Sequence, residues 1–193
     1  MMLLVAGLII FLGVHSTNLL APHWREQKIQ QYGPLAWKGV YALASIIGFV
    51  LLVKGYAMAR MEPTWLWLAP TWTRHLAALI TLPAFILLLA TYVPGTHIKA
   101  RIGHPMLLAT KVWALAHLLA NGGLHDVLLF GGFLAWAVFG FIVLHKRDRA
   151  AGKQYPAVGI ARDAIAVVLG LVAWAAFAMV GHVWLIGVAP FGG

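Results

Sequence analysis

Histidine is the residue type in this sequence that could do the most chemistry, because its imidazole can ligate a metal or transfer a proton. The chain has nine histidines and no cysteine, which excludes a thiolate nucleophile, a disulfide, a cysteine-ligated zinc and an iron–sulfur cluster. Metal or redox chemistry must therefore depend on imidazole, a common metal ligand. Two histidines, His15 and His117, lie deep inside long apolar stretches. An ionisable side chain is costly at such a position and is usually paired or functional.

The other histidines are more peripheral. His23, His97, His125 and His145 fall in predicted loops or at helix ends, where an ordinary interfacial role is expected. The remaining three, His75, His182 and His104, lie near predicted helix ends, and a solvated or a ligand-facing role is open for each of them.

The elements that must position His15 and His117 are membrane helices. The chain is 62% hydrophobic and 10% charged, whereas soluble domains average about 45–50% apolar and about 25% charged residues. We predict a single all-α domain over residues 1–193, a polytopic bundle of about six transmembrane helices. The predicted helices are roughly 3–20, 37–59, 73–93, 105–120, 124–144 and 159–188. The first is expected to be retained, because it lacks a basic start and a cleavage site.

The net charge of +9 indicates orientation rather than nucleic-acid binding, since no soluble basic module is predicted. Nine cations lie in or beside the first, third and fifth loops: Arg25, Lys28, Lys38, Lys99, Arg101, Lys146, Arg147, Arg149 and Lys153. The second loop has only Arg60 with two flanking cations. The positive-inside rule then predicts that both termini are non-cytoplasmic.

This orientation makes the first and fourth helices antiparallel. His15 and His117 each lie about 12 residues, or about 18 Å, along their helices. Both imidazoles are then expected near the bilayer midplane, as two axial ligands of one haem would be. Hydrogen bonding of each ring to a neighbouring helix is the alternative.

The face of the fourth helix around His117 has both flat and small side chains. It includes Met106, Thr110, Trp113, Ala114 and Asn121, a surface that suits a macrocycle but would also suit ordinary helix packing.

Lys111 lies on another face of the same helix, near that of His104. A haem propionate or a lipid headgroup is a candidate partner for Lys111 or Arg101. Snorkelling of Lys111 toward the interface is the alternative.

Two segments resemble the NnrU family. One is Phe-Leu-Gly-Val-His-Ser at 11–16, and the other runs from His104-Pro-Met through Lys111-Val-Trp-Ala-Leu-Ala-His117 to Asn121-Gly. The resemblance covers most of the chain and implies a bacterial cytoplasmic membrane protein associated with denitrification and nitric oxide metabolism.

The family is also similar to the haem b enzyme zeta-carotene isomerase, which implies haem b iron ligated by His15 and His117. Trp113, Ala114, Lys111 and His104 are the expected further cofactor-binding residues. Ala114 stands where the isomerase has a cysteine, so an exchange of cysteine for histidine at the iron is excluded here.

The expected function is therefore haem-dependent redox chemistry, a response to nitric oxide, or isomerisation of an unsaturated lipid or isoprenoid, with membrane lipid and a redox protein as partners. A membrane lipid methyltransferase is an alternative, because a His-Pro pair opens a helix and a charged linker follows the next one. A haem-free assembly subunit is the third hypothesis.

Overall fold

The computed structural model describes residues 1–191 and is mainly helical, with no strand in that range apart from an isolated bridge between Trp65 and Gly123. The elements are α1 (Met2–Leu20), α2 (Pro22–Tyr32), α3 (Pro34–Ala59), α4 (Trp72–Tyr92), α5 (His97–Ile102), α6 (Pro105–Ala120), α7 (Leu124–Ala150), α8 (Ile160–Ala176), a π-helical turn (Phe177–Gly181) and α9 (His182–Ile186). The all-α prediction is confirmed.

Five segments of the described chain are long and apolar enough to cross a membrane: α1, α3, α4, α7, and α8 continued through α9 to Ile186. The sixth predicted helix, α6, is apolar but has only 16 residues. At 1.5 Å per residue it spans about 24 Å, less than the roughly 30 Å of a hydrocarbon core. The chain is thus a membrane protein with five candidate spans, and a sixth span and the orientation of the termini stay predictions.

One predicted boundary is wrong, and one predicted helix is interrupted. The predicted loop after residue 144 is helical as far as Ala150, because its charged residues favour helix and no helix breaker precedes Gly152. The last predicted helix is interrupted by the π-helical turn Phe177–Gly181. A π-turn accommodates one extra residue per turn, and such turns occur often at functional sites.

The chain forms two compact units. The first contains residues 1–66 and 123–132, and the second contains residues 67–122 and 133–193. Helix α7 contributes its start to the first unit and its remainder to the second.

In the first unit, α1 packs closely on α3 through glycines. A Cβ atom built on Gly7 would lie 2.5 Å from the backbone nitrogen of Leu52, and one built on Gly48 would lie 2.8 Å from that of Phe11. Small residues allow backbones to approach in this way in membrane helices, where the attraction between helices comes mainly from van der Waals contact. This packing holds the α1 segment that contains His15.

In the second unit, α4 packs against both α6 and α8. Pro83 lies inside α4 and lacks an N–H, which weakens the hydrogen-bond ladder in the turn before it. The indole Nε1 of Trp174 donates a 3.0 Å hydrogen bond to the carbonyl of Ala78 in that region. This bond ties α8 to the part of α4 that precedes Pro83, whereas the carbonyl that loses its helical donor to the proline is that of Leu79.

The close approach of α1 and α3 can be tested with two glycines of the same helix. Gly7→Ala is expected to lower the free energy of unfolding by about 1–3 kcal/mol, because the added methyl meets backbone that cannot rotate away. Gly13→Ala is the matched control, since a Cβ at Gly13 meets nothing within 4 Å. It should leave stability unchanged or raise it by up to about 1 kcal/mol, as alanine is the better helix former. Unfolding in detergent, followed by circular dichroism, measures both; equal effects would contradict this packing.

Candidate functional site

His15 is held by its own helix. Its Nδ1 lies 2.7 Å from the carbonyl oxygen of Phe11, four residues earlier. A carbonyl oxygen has no proton to give, so Nδ1 is the donor, and the lone pair of the neutral ring is on Nε2. The rings of Phe11 and Tyr41 lie 4.2 and 5.4 Å from the imidazole, centroid to centroid. The tautomer and the ring orientation are thereby both fixed.

A cavity of about 490 Å³ lies beside His15 and is lined by residues of α1, α2 and α3, all of them in the first unit. We call it the His15 cavity. Its polar and aromatic lining includes His15, Asn18, Arg25, Trp37, Lys38 and Tyr41. The volume falls in the range of about 300–1,000 Å³ that is usual for small-molecule and cofactor sites.

His117 repeats the local geometry of His15 in the second unit. Its Nδ1 lies 2.8 Å from the carbonyl of Trp113, again four residues earlier, so the lone pair of this ring is also on Nε2. The Trp113 ring lies 5.2 Å from the imidazole, and Phe133 packs edge-on against that indole at 5.6 Å. Asn121 donates to the carbonyl of His117 at 2.9 Å. Three residues of the predicted face, Trp113, His117 and Asn121, are therefore held by hydrogen bonds and ring contacts within the second unit.

These two histidines fit a haem better than a metal held by protein alone. Residues 1–191 contain no group of three or more histidine, cysteine, aspartate or glutamate side chains placed to hold an ion. A porphyrin supplies four nitrogens of its own, so the protein needs to supply only axial ligands. Metal-bound histidines almost always donate their second ring nitrogen to a carbonyl or carboxylate, as His15 and His117 do.

Two other predicted site residues of α6 have protein contacts in the second unit. Ala114 is completely buried. The ammonium of Lys111 lies 3.6 Å from the centroid of the Phe141 ring, a cation–π contact. Lys111 thus has an aromatic partner on α7, and its pairing with a propionate stays a prediction. Arg101, the other predicted propionate partner, is exposed on α5.

His104 belongs to a polar cluster at the start of α6. Its Nε2 lies 2.9 Å from a carboxylate oxygen of Asp148, which also accepts a 2.6 Å hydrogen bond from the Tyr155 hydroxyl. Lys153 lies 3.7 Å from the second oxygen, and the His145 ring lies 5.2 Å from that of His104. Burial lowers the pKa of His104, although the Asp148 carboxylate opposes the shift. Contact of His104 with a cofactor stays a prediction.

A buried polar group that sequence reasoning missed lies in the first unit. Asp126, 2% exposed, accepts hydrogen bonds from the Tyr56 hydroxyl at 2.6 Å and from the Gly123 N–H at 2.9 Å. His125 lies at the helix end, as predicted, but is only 3% exposed and contacts both Asp126 and the Tyr56 ring. An acidic residue just after a helix start is a capping signal that could have identified Asp126.

The pKa shift of His104 predicts a pH dependence. Above about pH 6.5 the ring is neutral in both the folded and the unfolded protein. As the pH falls, the unfolded chain takes up the proton first, so stability is lost until the pH passes the lower folded pKa. Thermal stability in detergent should therefore fall between pH 7.5 and pH 5, and His104→Gln should reduce that fall. His23→Gln, at an exposed position, should retain it; an unchanged fall in His104→Gln would contradict the assignment.

Comparison with known proteins gives one match. No curated relative and no solved structure shows significant similarity to the chain. The family model described as NnrU protein matches residues 3–190, nearly the whole chain, including His15, the α6 face and the His104 cluster. Because the match extends across both units, the chain belongs to the NnrU family.

Proposed function

We propose that this NnrU protein binds haem b in the membrane, with His15 and His117 as the axial ligands of the iron. The observation that supports this most is the shared geometry of the two rings, each donating Nδ1–H to the carbonyl four residues earlier. The His15 cavity adds space of cofactor size beside one of them. When bound, the haem would supply one-electron chemistry and, with an open iron position, affinity for nitric oxide.

The chain's own residues would bind and orient the group. The carbonyls of Phe11 and Trp113 would accept from Nδ1–H, so that Nε2 of each imidazole is the nitrogen that binds the iron. A hydrogen bond of this kind also raises the basicity of the ligating nitrogen. Trp113, packed on His117, presents a flat aromatic surface of the kind that a macrocycle contacts.

Membership of the NnrU family supports a role connected with nitric oxide or denitrification in the bacterial cytoplasmic membrane. Isomerisation of an unsaturated lipid is the less favoured version, because Ala114 has no sulfur and is completely buried. A redox function requires an electron-donating protein as a partner, and the basic loops offer a surface for an acidic one.

One observation favours a membrane lipid methyltransferase as the second candidate. The structure brings the histidine of the His-Pro pair, His104, within 2.9 Å of Asp148, the acidic residue of the charged linker. That function predicts binding of S-adenosylmethionine by the purified protein and no haem. A haem-free assembly subunit would bind neither.

The haem proposal predicts an optical spectrum. Protein purified from cells with adequate haem supply should show a Soret band and, after dithionite reduction, sharp α and β bands. His15→Ala and His117→Ala should each weaken or shift these bands, because each removes one iron ligand. His23→Ala, at an exposed position outside the His15 cavity, should leave the spectrum intact.

A wild-type protein without a Soret band would refute the proposal. If the band is present, nitric oxide added to the reduced protein separates the two versions of the function. A spectral change supports the gas-responsive version, and no change supports electron transfer at an iron that keeps both histidines.

A further inference from the structure

We infer that the His15 cavity is a carboxylate-binding pocket in which Arg25 and Lys38 pair with the propionates of the haem. The inference rests on the proposed function and concerns which cations of the chain hold the anionic edge of the cofactor. It replaces Lys111 and Arg101, the candidates that the sequence suggested, with two residues that share a cavity with a predicted iron ligand.

The turns on either side of α2 build this pocket. Helix α1 ends at Leu20, and Pro22 starts α2. Helix α2 ends at Tyr32 and is followed by Gly33, whose φ of 83° is accessible mainly to glycine. Pro34 then starts α3. These breaks place Arg25 of α2 and Lys38 of α3 on the wall of one cavity with His15 of α1. The whole pocket lies within the first unit.

The charge of the pocket is unbalanced. Its lining includes two cations and no carboxylate in the part of the chain that the structure describes, and neither Arg25 nor Lys38 forms an ion pair within residues 1–191. Positive charge next to an apolar medium favours an anionic ligand, because screening by water is weaker there. A ligand with two carboxylates would balance two cations.

The shape of the cationic groups suits carboxylates. The Arg25 guanidinium lies 5.9 Å from the centroid of the Trp37 ring, which also packs edge-on against Trp24 at 5.7 Å. A guanidinium supported by an aromatic ring loses less freedom on binding, and its planar fork matches the two oxygens of a carboxylate. Lys38 is exposed and can approach as a point charge.

A phosphate headgroup of an anionic lipid would meet the same two cations, so the test must separate the two sources. The full-length protein is purified in neutral detergent from cells starved of haem, so that the site is empty. It is then titrated with haem and, separately, with haem dimethyl ester, which has the same ring but no propionate charge. The Soret change gives the affinity. The wild type should bind haem more tightly than the ester by about tenfold or more, since hydrogen bonds to charged groups are worth about 1.5–3 kcal/mol each.

Arg25→Gln and Lys38→Gln should each weaken haem binding by about tenfold and leave ester binding nearly unchanged. Arg25→Lys should retain part of the affinity for haem. Lys28→Gln is the matched control, because Lys28 lies on the same α2 helix but donates to Gln31 at 3.0 Å and does not line the cavity. It should behave as the wild type.

Four outcomes overturn the inference. Equal binding of haem and its ester by the wild type, or haem binding unchanged in the Arg25→Gln/Lys38→Gln double variant, refutes the carboxylate pocket and leaves the haem proposal intact. Weaker retention of phosphatidylglycerol by the detergent-solubilised double variant, with haem binding unchanged, assigns the cations to lipid phosphate instead. No Soret change with either ligand refutes the proposed function itself.

Discussion

A polar side chain inside a membrane must find its partner within the protein, because hydrocarbon offers none. In this chain the apolar helices that contain His15 and His117 also supply that partner: the carbonyl four residues earlier accepts the Nδ1 proton of each ring. His145 repeats the arrangement with Phe141 at 3.0 Å. One local bond satisfies one nitrogen and sets the tautomer, in which Nε2 carries the lone pair. The proposed haem site depends on this bond.

Close helix packing keeps these rings in place. Glycines at the contact of α1 with α3 bring the two backbones together, and Gly170 of α8 does the same against Ile86 of α4, where an added Cβ would lie 2.7 Å from Cα. Where the polar turns around α2 interrupt this close packing, the chain leaves the His15 cavity, bordered by two cations. The helices are thus tightly packed along their length, and the opening lies near the end of α1 and the start of α3.

The positions of the helices could be predicted from the sequence. The contacts between residues that are far apart in the sequence could not. Apolar length and proline positions were enough to place six apolar helices, although α6 is shorter than a membrane span and the last helix is interrupted at Phe177–Gly181. The cost of a polar residue in an apolar stretch selected His15 and His117 as candidate ligands, and that role stays a prediction. The end of α7 was misplaced, since charged residues indicate a loop in water but also extend a helix beyond the hydrocarbon. The contact of His104 with Asp148 joins residues far apart in sequence, and so does the burial of His125 beside Tyr56. A single sequence has no local signal for either contact.

The His15 cavity could not be predicted from the sequence for the same reason. It arises only when the turn at Gly33 brings α3 back toward α1.

Ligation of haem iron by both His15 and His117 can be tested by electron paramagnetic resonance of the oxidised protein at low temperature. Two imidazole ligands produce low-spin ferric haem, and loss of one ligand favours the high-spin state. We expect a low-spin signal in the wild type and a high-spin signal in both His15→Gly and His117→Gly, with the low-spin signal restored by added imidazole. A wild-type spectrum without ferric haem, or a low-spin signal unchanged in either variant, would contradict it.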